Sequence, residues 1–136
     1  MSKTVYDLDG NQIKLNIGQG LSRATRSGKS KYHTAARDLI KECFPTLQIC
    51  EEITIPIKKG QRVYLDFFLP LNSKCIEVHG EQHYKFIPHF HQTPMNFAKH
   101  KKRDREKIEW CEINGIEYIE LPYNEDLEQW RKRILG

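Results

Sequence analysis

No stretch of this chain approaches the roughly 20 consecutive apolar residues that a membrane-spanning helix needs, and the N-terminus lacks the apolar core of a secretory signal. The expected compartment is therefore the cytoplasm, with no membrane partner. Its four cysteines, Cys43, Cys50, Cys75 and Cys111, form no CxxC pair and mostly lie inside apolar periodic segments. A free thiol in such a place packs as a small hydrophobe, which argues against a disulfide framework. There is no internal repeat and no low-complexity segment. At 136 residues the chain has room for one domain of ordinary size with a single core.

What the chain does have is charge, and the charge is segregated. The net formal value is only +4, yet residues 1–32 hold six Lys/Arg against two acids, and residues 97–107 (FAKHKKRDREK) again hold six against two. Residues 108–129 hold seven acids and no Lys or Arg. Separation of this kind favours a basic face suited to a phosphate backbone, although charge runs also occur as plain solvated surfaces.

Residues 4–17 (TVYDLDGNQIKLNI) alternate about a DG turn and read as a β-hairpin. A Gly/Ser-rich basic arm follows, giving a division into residues 1–29, hairpin and arm, and residues 30–136, the main domain. Within the arm RSGKS suggests a phosphate loop, but that pattern needs glycine where Arg23 stands and an apolar strand before it. Tyr32, Ala36, Leu39 and Cys43 recur at helical spacing before Pro45. LQICEEITIPI, VYLDFFLP and KCIEVHG read as three strands, the last two apolar on both faces as in a covered sheet. After a loop with Pro88 and Pro94, residues 96–114 read as a long helix closed by Gly115. IEYIEL and NEDLEQWRKRIL complete the order as a strand and a helix. The expected core is α/β, α-β-β-β-α-β-α with a mixed central sheet, preceded by the hairpin.

The ionisable residues gather at the end of this sheet. If the turn after VYLDFFLP centres on Leu71 and Asn72, paired positions sum to 143 and Asp66 faces Glu77, with Cβ atoms about 4.5–5.5 Å apart. Two such carboxylates repel unless a cation lies between them. The period of two puts Cys75, Glu77 and His79 on one face, and Gly80 then turns the chain to return His83. Oxygen ligands of this kind suit Mg2+ better than zinc, and such an ion activates water and offsets phosphoryl charge. The bland alternative pairs each acid with a neighbouring Lys or Arg, although burying uncompensated charge three times over is costly. On the long helix Phe97, Asp104, Ile108 and Cys111 form one stripe, which turns Asp104 inward. HGEQH differs from the zinc-protease helix because Gly80 intervenes before the glutamate, while His79, His83, His89 and His91 remain a conceivable zinc set.

Together, LDFFLP with Asp66, then IEVHGEQH, then KKRDREKIEWCEINGIEYIELP resemble the PD-(D/E)xK nuclease superfamily, closest to its very-short-patch-repair-like branch with related homing and phage-borne nucleases. The likeness covers about Ser30 to Pro122, and its most specific part is the ordered set D…ExxGxxH…D. It implies a restriction-endonuclease-like core and a divalent-metal phosphodiesterase acting on DNA, of phage or mobile-element origin, with Mg2+ as cofactor and Mn2+ able to substitute. By this resemblance Asp66 and Glu77 are metal ligands, His83 is the general base or water-orienting group with His79 as second choice, and Asp104 is the helix acid behind it. Leu65 replaces the superfamily's proline and His79 the usual lysine. The branch's first-helix glutamate is absent, with His33 near its place and Asp38 or Glu42 as alternatives. Arg23, Arg26, Lys29 and Lys31 of the arm, and Lys99, Lys102 and Arg103 of the helix, are the candidate contacts to phosphate. One active site cuts one strand, so the chain is expected to act as a monomer that nicks or as a homodimer. Loss of the lysine and the helix acid leaves an alternative, a catalytically inactive nucleic-acid-binding module of the same fold.

Overall fold

In a computed structural model of the chain, the structure describes residues 2–16 and 31–136. A two-stranded hairpin, β1 (Ser2–Tyr6) and β2 (Gln12–Asn16), is followed by α1 (Lys31–Cys43), β3 (Cys50–Lys58), β4 (Gln61–Leu69) and β5 (Lys74–His79). A single 3-10 turn (Glu81–His83) and the one-turn helix α2 (Pro88–His91) lead into α3 (Pro94–Ile113), β6 (Glu117–Pro122) and α4 (Leu127–Leu135). The order expected for the core is the order observed. The segment 88–91, expected as loop, instead forms a helical turn, with Pro88 at the first position where a missing N–H costs nothing. The third strand starts at Cys50 rather than Leu47, because Leu47 turns back on Phe44 and packs with Ile49 beneath α1.

The main sheet runs β3-β4-β5-β6, antiparallel except for β5 and β6, which are parallel. It is covered on both faces, as its doubly apolar strands require. On one face Ile53, Ile55, Val63, Leu65, Phe68 and Cys75 pack against Trp110 and Cys111 of α3 and against Val5 and Leu15 of the hairpin. On the other, Phe67, Leu69, Ile76 and Leu121 pack against Ala36, Leu39 and Ile40 of α1 and Trp130 and Ile134 of α4. The hairpin is thus part of the same core, and Asn114 after α3 clamps it by accepting from the Tyr6 N–H and donating to the Tyr6 carbonyl. Gly115 closes α3 at φ +67°, a left-handed position that favours glycine.

Strand β4 does not alternate evenly. Val63 and Leu65 belong to the α3 side, whereas Phe67 and Leu69 belong to the α1 side. The turnover falls at Asp66. Opposite it in β3 stands Glu52 at φ +49°, and this position interrupts the ladder between Ile53↔Leu65 and Glu51↔Phe67. Both strands rotate at one level while their register is kept. No helix of the described residues is long and apolar enough to cross a membrane.

Candidate functional site

The β4–β5 ladder pairs Phe67 with Ile76, Phe68 with Cys75 and Leu69 with Lys74, the register the turn implies. Beyond Phe67 the main-chain ladder ends and two side chains take over. The Asp66 N–H donates to Glu77 Oε2 at 2.6 Å, and the Val78 N–H donates to Asp66 Oδ2 at 2.9 Å. Each carboxylate therefore satisfies an amide of the facing strand, which buried N–H groups require. The two acids are interlocked at one level of the sheet, as their register places them.

A single shared face for Asp66, Glu77 and His79 is more than the backbone delivers. Glu77 and His79 lie on the α3 side. Asp66, at the turnover, borders a cleft of about 470 Å³ with Tyr32, His33, Val78, His89 and Tyr123. The expectation of strict alternation fails because the strand turns over at that residue.

From the α3 side a cation meets Glu77. Lys107 Nζ donates to Glu77 Oε1 at 2.8 Å, with the two side chains 13% and 3% exposed. Burial by itself would lower the Lys107 pKa, but Glu77 first, and then Asp66 and Asp104, outweigh it and hold the ammonium above its ordinary value. Sequence places Lys107 in the basic run 97–107, expected to meet phosphate or to be solvated. Its helical stripe with Asp104 and Cys111, at offsets of zero, three and seven, is the signal that places it inward.

The imidazoles form the next layer. His83 follows Gly80 in the 3-10 turn, its N–H donating to the Gly80 carbonyl, and its ring stacks on His79 at 4.0 Å between centroids and 10° between planes. His83 Nδ1 lies 2.9 Å from Asp104 Oδ2. Burial of Asp104 would raise its pKa, yet the His83 contact, with His79 and Lys107 behind it, takes it below the usual value. His79 Nε2 is 3.0 Å from the Tyr118 hydroxyl and its Nδ1 is 3.7 Å from Glu120 Oε1. Burial and the neighbouring His83 push the His79 pKa down against the pull of Asp104, Glu120 and Glu77. Tyr84 also donates to Glu120.

His79, His83 and Asp104 bring one potential ligand atom each within 4.8 Å of one another. Parallel stacking works against a shared ion there. Imidazole lone pairs lie in the ring plane, so two rings 4.0 Å apart and nearly parallel direct them side by side rather than to a point. The wider zinc set fares no better. His89 and His91 join no group of three ligands among the described residues. His91 Nδ1 accepts from the Ile87 N–H, which leaves the ring hydrogen on the buried Nε2, packed edge-on to Phe90 and Phe97.

On the α1 side the candidates for a first-helix acid are displaced. Asp38 and Glu42 are exposed, and Glu42 pairs with Arg131 of α4. The acid at this place comes instead from β3. Glu51, buried, accepts from Arg37 Nε on both oxygens at 3.0 and 2.9 Å and lies 2.9 Å from His33 Nε2. Lys31, Lys99, Lys102 and Arg103 are exposed as phosphate contacts require. Arg23, Arg26 and Lys29 lie outside the described residues.

The chain is similar to three viral proteins, each described as uncharacterized. It is 41% identical over 72 residues to protein 307L of Invertebrate iridescent virus 6, covering 50% of the chain and 36% of that protein. It is 34% identical over 64 residues to protein 033L of Invertebrate iridescent virus 3, covering 47% and 33%. With protein 094L of Frog virus 3 (isolate Goorha) the figures are 32% over 78 residues, covering 56% and 50%. The matched part thus spans a third to a half of these relatives. No protein-family model matches the chain, and no solved structure does.

Proposed function

We propose that this chain is a divalent-metal-dependent endonuclease of the PD-(D/E)xK type that hydrolyses DNA phosphodiester bonds. The observation that carries the reading is the interlock of Asp66 with Glu77, with Lys107 on the free side of Glu77, one layer from the His83–Asp104 pair. Asp66 and Glu77 are the residues that would hold Mg2+, or Mn2+ in its place. The donor set fits, being hard carboxylate oxygen, and Lys107 already stands as a cation against Glu77. When bound, such an ion acidifies water and offsets charge on a phosphoryl group.

The remaining roles belong to the side chains. With Nδ1–H directed at Asp104, His83 keeps its lone pair on Nε2, the atom that accepts a proton from water. Asp104 orients that ring and stabilises it once protonated. His79 is 4% exposed with Nε2 committed to Tyr118, so it is the weaker choice of base. Held neutral by burial, it lets the ring stacked on it take up charge without a like-charged neighbour. Lys31, Lys99, Lys102 and Arg103 position the DNA backbone, and contacts of this kind carry no sequence information. A monomer nicks; a homodimer or two successive nicks cut both strands.

The test is supercoiled plasmid incubated with Mg2+ or Mn2+ and then with chelator. Metal-dependent relaxation or linearisation that Asp66→Ala abolishes is the expected result. One observation favours a second reading, a nucleic-acid-binding module without activity: both Glu77 oxygens already have partners inside the protein. A gel shift with intact plasmid under every metal would establish that reading instead.

A further inference from the structure

We infer that Lys107 is an internal counter-ion which must leave Glu77 before a divalent cation can enter, so that cation binding at Asp66 and Glu77 is a competition with this ammonium. The inference rests on the proposed reading of those two acids as ligands. Of the two Glu77 oxygens, Oε2 is committed to the Asp66 N–H and Oε1 to Lys107 Nζ, so the ammonium occupies the oxygen a cation would take. The pair is nearly dry, where like charges repel strongly and two cations cannot share one carboxylate cheaply.

The exit is also built in. Asp104 stands three residues before Lys107 on α3, so the ammonium has a second carboxylate within reach of its flexible four-carbon stem. Asp104 already contributes to holding Lys107 charged. Moving onto Asp104, Lys107 would meet the same carboxylate that orients His83, which links cation entry to the imidazole. Arg37 at Glu51 is a different arrangement, because its Nε–H is shared by both oxygens of the one carboxylate.

The test is thermal melting of the full chain against MnCl2 and MgCl2 at constant ionic strength, for wild type, Asp66→Ala, Lys107→Met and Lys107→Gln. Wild type should show a saturable rise in Tm that Asp66→Ala lacks. In Lys107→Met the metal-free Tm should fall, and the Mn2+ midpoint should move about ten-fold or more to lower concentration, since a unit charge beside the ion is removed. Lys107→Gln keeps a donor for Glu77 without the charge and should tighten Mn2+ in the same sense. Variants that fold only when Mn2+ is present would support the competition equally. A wild-type titration that stands, with midpoints in both Lys107 variants unchanged or weaker, overturns the inference alone. Variants that stay unfolded with or without Mn2+ overturn it too, because the ion then cannot replace the ammonium. Absence of any titration in wild type removes the ligand reading and this inference with it.

Discussion

Two buried glutamates of the main sheet, Glu51 in β3 and Glu77 in β5 with β4 between them, have been neutralised in different ways. Glu51 sits between a guanidinium and an imidazole, with Arg37 Nε shared by both its oxygens and His33 Nε2 on Oε1. Glu77 holds one ammonium, Lys107, on Oε1 and a backbone N–H, that of Asp66, on Oε2, with Asp66 and Asp104 adding their charge from farther off. The first arrangement is complete as it stands and reads as structure. In the second a flexible lysine holds one oxygen of a carboxylate whose other oxygen serves the facing strand, and that looser hold, rather than burial of an acid as such, marks the place proposed for chemistry.

The comparison is broken most severely by removing the acids. Asp66→Ala should lower metal-dependent cleavage by about 10³-fold or more in a plasmid assay, because the ion's charge stabilisation is lost. Glu77→Ala should do the same and also destabilise the fold by about 3–5 kcal/mol, since it leaves Lys107 buried without its partner. Denaturant unfolding measures the second effect. Full cleavage by either variant would mean the two glutamates are not different in kind.

Next in size is the imidazole. His83→Ala should reduce cleavage about 10²-fold or more, the usual contribution of a positioned base, whereas Asp104→Asn should cost less because the base survives with its orientation loosened. Rates under single-turnover conditions separate the two. A larger loss in His79→Ala than in His83→Ala would place the base on the buried ring instead.

Much of this arrangement is legible in the sequence, for reasons that can be stated. The short PLNS connection fixes the register that sets Asp66 level with Glu77, Gly80 supplies the turn that returns His83, and helical periodicity turns Asp104 inward. These are local rules acting over a few residues. The turnover of β4 at Asp66 is not local, since it depends on β3 rotating at Glu52 and on two separate cores claiming Leu65 and Phe67. Lys107 was hidden by its neighbours, because five other basic residues in the same helix are not held by Glu77. Glu51 was hidden by distance, its partners being 14 and 18 residues away across a helix–strand contact.

Sharpening the comparison from the other side, Glu51→Gln should cost about 1–3 kcal/mol in denaturant unfolding, because Arg37 and His33 keep a polar partner but lose its charge. Cleavage per folded molecule should change by no more than a few-fold, about 1 kcal/mol of barrier. A loss as large as that of Asp66→Ala, in a variant that remains folded, would make Glu51, behind the His33 that lines the Asp66 cleft, the missing first-helix acid, and the two glutamates would then not differ in kind.

The smallest effect tests burial and charge together around Tyr118, on the Glu77 side. Tyr118 is held well above its ordinary pKa of 10.0 by burial first, and then by the carboxylates of Glu77, Asp104 and Glu120 together with Cys75. Its folded value being raised, the stability this gives is fully present below about pH 10 and is lost as the pH rises beyond it, because the unfolded chain then gives up a proton that the folded chain keeps. Tyr118→Phe removes that proton. At neutral pH it should cost only about 1 kcal/mol, the hydrogen bond to His79, while between about pH 10 and 11 its Tm should fall less steeply than that of wild type. Parallel slopes in the two proteins would mean that burial and the neighbouring carboxylates together leave Tyr118 unraised, and the contrast with Glu51 would then rest on hydrogen bonding rather than on charge.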